Sequence, residues 1–269
     1  ADAVWNAYNV SIQPTIETID RERQGGFSRL PAAFGARSGV VKLSVDLHGG
    51  ETDPFWATVA LPACGWVDSG GTYSPISKPA GASGGPKTLT VSVYEDGLLK
   101  KITGAVGNFV LNFMAGKPVR ADFTFTGCWV APVDTALITP TYEAVLPPRF
   151  ASSTVSIASY VPLISSMTID SGNQIMLRED ATKVSGYIAA LITDRKIVGK
   201  LDPETSLVDT QNTWGQWIAS SEQALSVIVG ASGNRFTLAA PKLQFTNVQE
   251  GDRDKLLIDS VDFQLNGSS

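Results

Sequence analysis

Apolar and polar residues alternate one by one along several short segments of this chain, and this pattern limits the fold more than any other feature. Segments 39–47, 88–93 and 120–126 each place an apolar residue at every second position. Successive side chains of a β-strand point to opposite faces, so each segment predicts a strand with one face on a core and the other in water. No long stretch follows the helical period. We therefore predict an all-β fold.

The composition agrees with many short strands joined by turns. Of the 269 residues, 43% are hydrophobic and only 17% are charged, which provides enough apolar surface for folding. The 25 glycines and 15 prolines are spread along the chain, as is typical of turn-rich β proteins. The net charge is −5 and no basic run exceeds two residues, so tight binding of nucleic acid is not expected.

The second half of the chain repeats the order of elements predicted for the first. The first-half elements are a strand at Gly39–Leu47, a short helix at Asp53–Leu61 with Asp53 as its cap and Gly65 at its end, and strands at Thr88–Tyr94, Lys100–Met114 and Pro118–Trp129. The second-half elements are a strand at Ser185–Thr193, a helix at Asp209–Ser220, and strands at Ala224–Val229, Arg235–Val248 and Lys255–Asn266.

This repetition predicts a duplicated β-sandwich. Its first domain covers residues 1–146, a linker with two consecutive prolines covers residues 147–157, and the second domain covers residues 158–269. A chance likeness between two unrelated β domains is the alternative, because strands of period two resemble one another.

Residues with catalytic or metal-binding chemistry are sparse, so we expect no enzyme activity, no metal and no cofactor. His48 is the single histidine, which leaves little room for a catalytic triad or a histidine-rich metal site. Cys64 and Cys128 have no CxxC partner, and we expect them to be buried free thiols. Trp214 and Trp217 belong either to a core or to a sugar-binding platform.

No stretch of the sequence approaches the roughly 20 continuous apolar residues that cross a bilayer. Residues 1–5, Ala-Asp-Ala-Val-Trp, lack the basic and apolar regions of a secretory signal. We therefore expect synthesis in the cytoplasm and no association with a membrane.

Several motifs, taken in their order along the chain, resemble those of one known family. They are Gly39-Val-Val-Lys-Leu-Ser-Val-Asp-Leu-His-Gly49, Leu61-Pro-Ala-Cys-Gly65, Leu89-Thr-Val-Ser-Val-Tyr-Glu-Asp-Gly97, Gly104-Ala-Val-Gly-Asn-Phe-Val-Leu-Asn-Phe-Met-Ala-Gly116, Ala121-Asp-Phe-Thr-Phe-Thr-Gly127, Asp170-Ser-Gly-Asn173, Asp202-Pro-Glu204 and Asp252-Arg-Asp254. From about residue 10 to residue 266, the chain resembles the tail tube proteins, or major tail proteins, of siphophages, the bacteriophages with long, non-contractile tails.

The resemblance implies a structural virion protein built from tail-tube-type β-sandwich domains, each with a flanking helix. Strands of neighbouring subunits would join into a ring-shaped β-barrel, and stacked rings would form the tube that conducts DNA during genome ejection. Ordinary members have one domain and six copies per ring, so the ring would be hexameric, or trimeric and pseudo-hexameric for a duplicated chain. The implied partners are other copies of the chain, the tape measure protein, and the tail terminator and tip proteins. Phage DNA would pass without specific binding.

Three aspartates are candidates for the lining of such a lumen. Asp46, Asp122 and Asp262 lie on the polar faces of predicted strands, where carboxylates would repel the phosphates of passing DNA. The alternative is that they are ordinary surface aspartates.

Two segments, Thr15–Ser38 and Gly65–Lys87, are predicted to be long loops that contact neighbouring subunits or rings. The arginines among them would pair with acidic groups of a neighbour. The candidate contact residues are Arg21, Arg23, Arg29, Arg37, Gly70 and Gly84. A solvated arm is the alternative for the first segment.

Two other functions stay open at this point. A carbohydrate- or receptor-binding β-sandwich of a virion surface would expose a cluster of aromatic side chains, whereas an assembly protein would bury them between subunits. A glycosidase needs only two carboxylates on facing strands, and the chain has 26 acidic residues, although no pair stands out.

Overall fold

The computed structural model describes residues 5–27, 29–50, 54–77 and 85–267. Within these ranges the chain forms fifteen strands and two short helical segments, which confirms the predicted all-β class. The first-half elements are β1 (Ala7–Arg21), β2 (Leu30–Asp46), a π-helical turn (Trp56–Ala60) that continues into α1 (Leu61–Ala63), β3 (Trp66–Asp68), β4 (Tyr73–Pro75), β5 (Leu89–Glu95), β6 (Leu98–Met114) and β7 (Arg120–Asp134).

The second half begins after a connection without regular structure. Its elements are β8 (Thr154–Ile157), β9 (Ile164–Asp170), β10 (Asn173–Glu179), β11 (Tyr187–Arg195), β12 (Val198–Pro203), α2 (Thr213–Ile218), β13 (Glu222–Ala231), β14 (Asn234–Arg253) and β15 (Leu256–Leu265).

Eleven of the strands form one open antiparallel sheet. Its order is β1-β2-β7-β6-β9-β12-β15-β14-β13-β8, and β5 also pairs with β6. The same order of strands therefore occurs twice, first as β1-β2-β7-β6-β5 and then as β9-β12-β15-β14-β13. The two runs meet where Val110–Met114 of β6 pair with Ser166–Asp170 of β9. We call this pairing the internal junction.

One hydrophobic core extends through both halves on one face of this sheet. Phe123 of β7 pairs with Phe109 of β6, and Phe263 of β15 pairs with Phe245 of β14, so the two runs place phenylalanines at corresponding positions. All four rings are buried. The alternation in the sequence has its cause here, because every second residue of these strands enters the core.

The segment Thr15–Ser38 is not a loop, and that prediction is wrong. It forms the outer part of a hairpin of β1 and β2, in which Thr15 pairs with Ser38 and Arg21 pairs with Leu30. We call residues 14–39 of this hairpin the arm. Its side chains are mostly exposed on both faces, so no alternation of apolar and polar residues marks its strands in the sequence.

The helix predicted at Asp53–Leu61 lies at Trp56–Ala63 and begins as a π-helical turn. Pro62 has no N–H to bond back into the preceding turn, which agrees with the wider turn before it. Gly65 ends the segment with a φ of 77°, as predicted, whereas its expected cap Asp53 lies outside the described residues.

Two second-half predictions also need correction. The helix expected at Asp209–Ser220 is only Thr213–Ile218, because Asn212 caps it by accepting a hydrogen bond from the Gly215 N–H at 2.7 Å. The strand expected at Ser185–Thr193 exists as β11, but it pairs with β10 in a separate hairpin. The strand that takes the place of β2 beside β15 is β12.

Candidate functional site

The side of the large sheet that faces away from the core is polar across both halves. On β7 the buried Ala121 and Phe123 alternate with Asp122, and on β15 the buried Val261 and Phe263 alternate with Asp262. Paired residues of antiparallel strands point to the same side, so the polar residues of neighbouring strands form one surface. We call it the polar face. Its members include Ser44, Asp46, Asn108, Asn112, Arg120, Asp122, Thr168, Asp170, Lys200, Asp262 and Gln264.

Asp122 is held by hydrogen bonds on the polar face of the first half. Its carboxylate accepts one bond from the Ser44 hydroxyl and a second from the Asn112 amide at 2.7 Å. Ser44 lies on β2 and Asn112 on β6, the two strands that flank β7. The side chain is therefore oriented by both neighbouring strands.

Asp262 occupies the corresponding place in the second half. Its carboxylate accepts a hydrogen bond from the Asn247 amide at 3.1 Å and lies 3.1 Å from the Lys200 ammonium. The amide of Asn247, followed by Lys200, holds the pKa of Asp262 below its ordinary value. Lys200 faces Asp262 across β12 and β15 as Ser44 faces Asp122 across β2 and β7.

Asp46 lies at the end of β2 beside Arg120, whose Nε is 3.5 Å from the carboxylate. The Arg120 guanidinium also lies over the ring of Tyr8, 5.4 Å from its centre. A hydrogen bond to Asp46 raises the pKa of the Tyr8 hydroxyl. All three aspartates predicted as lumen residues thus lie on the polar face, and their role in a lumen stays a prediction.

A second polar cluster fastens the second half to the first, and sequence reasoning missed it. The Asn173 amide donates to the carbonyl oxygens of Cys64 and Gly107 at 2.9 and 2.8 Å. The Arg195 guanidinium donates to the Asn173 side chain at 2.7 Å, to the Cys64 carbonyl at 3.0 Å and to the Gly65 carbonyl at 2.8 Å. These bonds place the start of β10 and the end of β11 against the end of α1.

The motif Asp170-Ser-Gly-Asn173 belongs to the same cluster. Asp170 accepts from the Asn108 amide at 2.8 Å, and the Asn108 oxygen accepts from Ser171 and from the Asn173 N–H. The only sequence signal for this cluster was the motif itself, because its partners lie more than 60 residues away.

The predicted contact residues are scattered over the arm and one turn. Arg21, Arg23 and Arg29 lie at the tip of the arm, where Arg29 is 4.0 Å from Asp20 in an exposed pair. Arg37 lies at the base of the arm, where its backbone N–H donates a hydrogen bond to the Ser185 carbonyl. Gly70 lies in the turn between β3 and β4 with a φ of 66°. Gly84 lies outside the described residues.

Two motifs from the second half meet at one end of β12. Asp202 accepts hydrogen bonds from the Ser166 N–H at 2.7 Å and the Ser165 hydroxyl at 2.6 Å, and Arg253 donates to Glu204 at 2.8 Å and to Asp202 at 3.4 Å. Burial disfavours the charged carboxylate, but the bonds from Ser165 and Ser166 together hold the pKa of Asp202 below its ordinary value.

A lowered pKa makes the contribution of Asp202 to stability depend on pH. A carboxylate whose pKa is lower in the folded state stabilises the fold above its unfolded pKa of about 3.9, and this contribution is lost as pH falls through the folded pKa. We expect Asp202→Asn to lower the thermal midpoint at pH 7 and to have a smaller effect near pH 3. The control is Asp209→Asn at an exposed position, and an equal effect of Asp202→Asn at both pH values would contradict the prediction.

The remaining candidates, His48, the two cysteines and the tryptophan pair, are buried or make structural contacts. His48 is buried between the Gly49 carbonyl and Glu143, so it ties the connection between the halves to β2. Cys64 and Cys128 are buried free thiols, as predicted, and burial raises the pKa of both. Trp217 donates to the Thr246 carbonyl at 3.0 Å and packs on the core, and its ring meets that of Trp214 edge-on with the ring centres 6.0 Å apart.

Over the described ranges, no three histidine, cysteine or carboxylate side chains are grouped to hold a metal ion. Among the same residues, none of the helices is long and apolar enough to span a membrane.

The family model described as phage tail tube protein matches residues 6–265, which is nearly the whole chain. A search of curated proteins finds no match.

Proposed function

Because this chain belongs to the family of phage tail tube proteins, we propose that three copies close each ring of the tube and that every copy supplies two duplicated halves. The protein is a structural component of the phage tail and assembles with itself into the tube. The two halves take the domain boundaries 1–146 and 158–269, and the linker between them, residues 147–157, contributes β8 to the edge of the second half.

The observation that supports this proposal is that the internal junction has a counterpart on β14, where the described sheet has no strand in the place of β9. In the repeated strand order, β14 takes the place of β6 and β1 takes the place of β9. At the internal junction the second half of β6 pairs with β9. The corresponding stretch of β14, residues 247–251, pairs with β15 on one side, and β13 on the other side reaches only to Gln244.

The free edge of β1 is the complement of this stretch. β1 pairs with β2 and lies at the end of the sheet. Exposed strand edges promote unspecific association, and closure of a sheet into a barrel removes them. If β14 of one copy pairs with β1 of the next, the internal junction is repeated between copies and the sheet closes around a channel.

The polar face is the side of the sheet that suits an aqueous channel. The three aspartates of this face accept hydrogen bonds from Ser44, Asn112 and Asn247 or lie beside Arg120 and Lys200, so DNA meets a hydrogen-bonded surface on which these two cations are paired. A wall without an excess of basic groups gains little affinity from counterion release, and DNA can slide along it. Asp46, Asp122 and Asp262 are part of this lining.

The remaining partners follow from the same role. We expect the tape measure protein inside the tube before ejection, phage DNA inside it during ejection, and terminator and tip proteins at its two ends. The chain acts through assembly rather than catalysis, and it is made in the host cytoplasm before it joins the tail.

A disulfide between copies tests the closure. At the internal junction Asn112 pairs with Thr168, and Gln249 and Tyr8 hold the matching places on β14 and β1. Directly opposed residues of antiparallel strands lie close enough for a disulfide. We expect the variant with Tyr8→Cys and Gln249→Cys, after assembly and oxidation, to give covalent dimers and trimers and nothing larger on a non-reducing gel.

The matched control combines Tyr8→Cys with Thr124→Cys, which lies on the polar face of an inner strand. This control should give no covalent oligomers. A ladder that continues to six chains would contradict three copies per ring, and the absence of any ladder would contradict the pairing of β14 with β1.

A further inference from the structure

The hairpin of β10 and β11 covers part of the first half of its own chain. Ala190 and Ile192 of β11 are buried against Val106 of β6 in a small apolar cluster. Ala189 lies directly over Gly104, because a Cβ atom added to Gly104 would be only 3.1 Å from the Cα and Cβ atoms of Ala189. The hairpin starts beside the internal junction, so it crosses the neighbouring half on which β9 also pairs.

The arm is the counterpart of this hairpin in the first half. Residues 171–197 connect β9 to β12, and residues 12–41 connect the matching positions of β1 to β2. The two connections have similar lengths and both are antiparallel hairpins. The arm, however, exposes its apolar side chains: Ile16, Ile19 and Phe34 are 44%, 48% and 74% exposed.

The surface of β6 that β11 covers has a counterpart on β14, and this counterpart is exposed. Ala105 of β6 pairs with Leu89, and Ala240 of β14 pairs with Leu225, so these alanines correspond and both are buried. The residues on either side of Ala105 are Gly104 and Val106, which lie under the hairpin. The residues on either side of Ala240 are Ala239 and Pro241, and both are exposed.

We propose that in the assembled ring the arm of one copy packs across β14 of the next copy, over Ala239 and Pro241, as the β10–β11 hairpin packs across β6 within the chain. This inference rests on the proposed pairing of β14 with β1, which brings the base of the arm beside this surface. Phe34 pairs with Thr18, so it shares one face of the arm with Ile16, and docking buries this face against a second copy of this chain. Apolar side chains exposed together in this way mark an interaction surface.

Cleavage by trypsin at the arm tests the proposal. Arg21, Arg23 and Arg29 are exposed at the tip and should be cut rapidly in the monomer. In rings closed by the Tyr8→Cys and Gln249→Cys disulfide, we expect cleavage at these arginines to slow by about tenfold or more, because a docked hairpin must open before it is cut. Mass spectrometry of the fragments identifies the sites.

Two substitutions separate docking of the arm from closure of the ring. Ala239→Glu places a charge under the docked arm and Phe34→Ser removes the aromatic ring of the docked face, so each should restore rapid cleavage in closed rings. Ala239 and Phe34 are exposed in the monomer, so neither change should affect folding. The control Ala231→Glu, at the exposed last residue of β13, should leave the arm protected.

The two proposals fail in different ways. The covalent ladder reports the pairing of β14 with β1, whereas cleavage at the arm reports docking. Equal cleavage rates in rings and monomers, or continued protection in Ala239→Glu rings, would overturn the docking. If no covalent ladder forms, cleavage at the arm is measured instead in assembled tubes of the unmodified chain and of the Ala239→Glu variant. Equal protection of the arm in both tubes would overturn the docking.

Discussion

Replacing Arg195 by alanine is expected to lower the free energy of unfolding by about 3 kcal/mol, because a hydrogen bond to a charged group contributes roughly 1.5–3 kcal/mol and its loss leaves buried acceptors unpaired. The guanidinium donates to the Cys64 and Gly65 carbonyls and to the Asn173 side chain. Chemical denaturation of the purified chain measures the change.

Two further variants give this prediction its controls. Arg195→Lys keeps the charge but loses the planar fork that reaches several acceptors, so an intermediate loss is expected. Arg178→Ala removes an exposed arginine from β10 and should change stability by less than about 0.5 kcal/mol. A loss for Arg195→Ala as small as that for Arg178→Ala would show that the cluster does not fasten the two halves together.

The strands of the two runs were predictable from the sequence because each buries one face. Leu43, Phe123 and Phe125 enter the core and alternate with polar residues that face water, which is the pattern that the sequence shows. The same alternation placed Asp46, Asp122 and Asp262 on the polar faces of their predicted strands, and the strand pairing shows that these faces lie on one side of the sheet.

The arm was not predictable in the same way. An alternating pattern arises only when one face of a strand is buried, and in the single chain most side chains of the arm are exposed on both faces. Its charged and apolar residues therefore follow no period, and the sequence of the arm resembles that of a loop. If the arm packs on a second copy, the information that shapes it lies in an interface that one chain does not contain.

The cluster around Arg195 escaped prediction for a different reason. Arg195 and its acceptors at Cys64 and Gly65 are separated by about 130 residues, and no local rule connects a basic residue at a strand end to the carbonyls of a distant helix. The predicted boundaries of α2 were wrong by only a few residues. Asp209 and Asn212 are both good caps, and the choice of Asn212 depends on its bond to the Gly215 N–H.

The charge of the polar face should control how fast DNA leaves the phage. Replacing Asp46, Asp122 and Asp262 by lysine removes one negative charge and adds one positive charge at each position, and the change is repeated in every copy along the tube. Basic walls gain affinity for DNA by releasing its counterions, so we expect ejection to slow by about tenfold or more at low salt and to recover as salt rises. Ejection triggered in vitro and followed by release of DNA measures the rate.

The matched control replaces the same three aspartates by asparagine. It removes the negative charge without adding a basic group, and it perturbs the bonds of Asp122 to Ser44 and Asn112 to a similar degree. Electron microscopy should show tubes of normal width for both variants, so that a slower rate reports the wall and not a failure of assembly. Because a counterion effect needs cations on the wall, the asparagine variant should eject almost as fast as the unmodified phage. If phage with the lysine variant ejects DNA as fast as phage with the asparagine variant at every salt concentration, these aspartates lie away from the lumen.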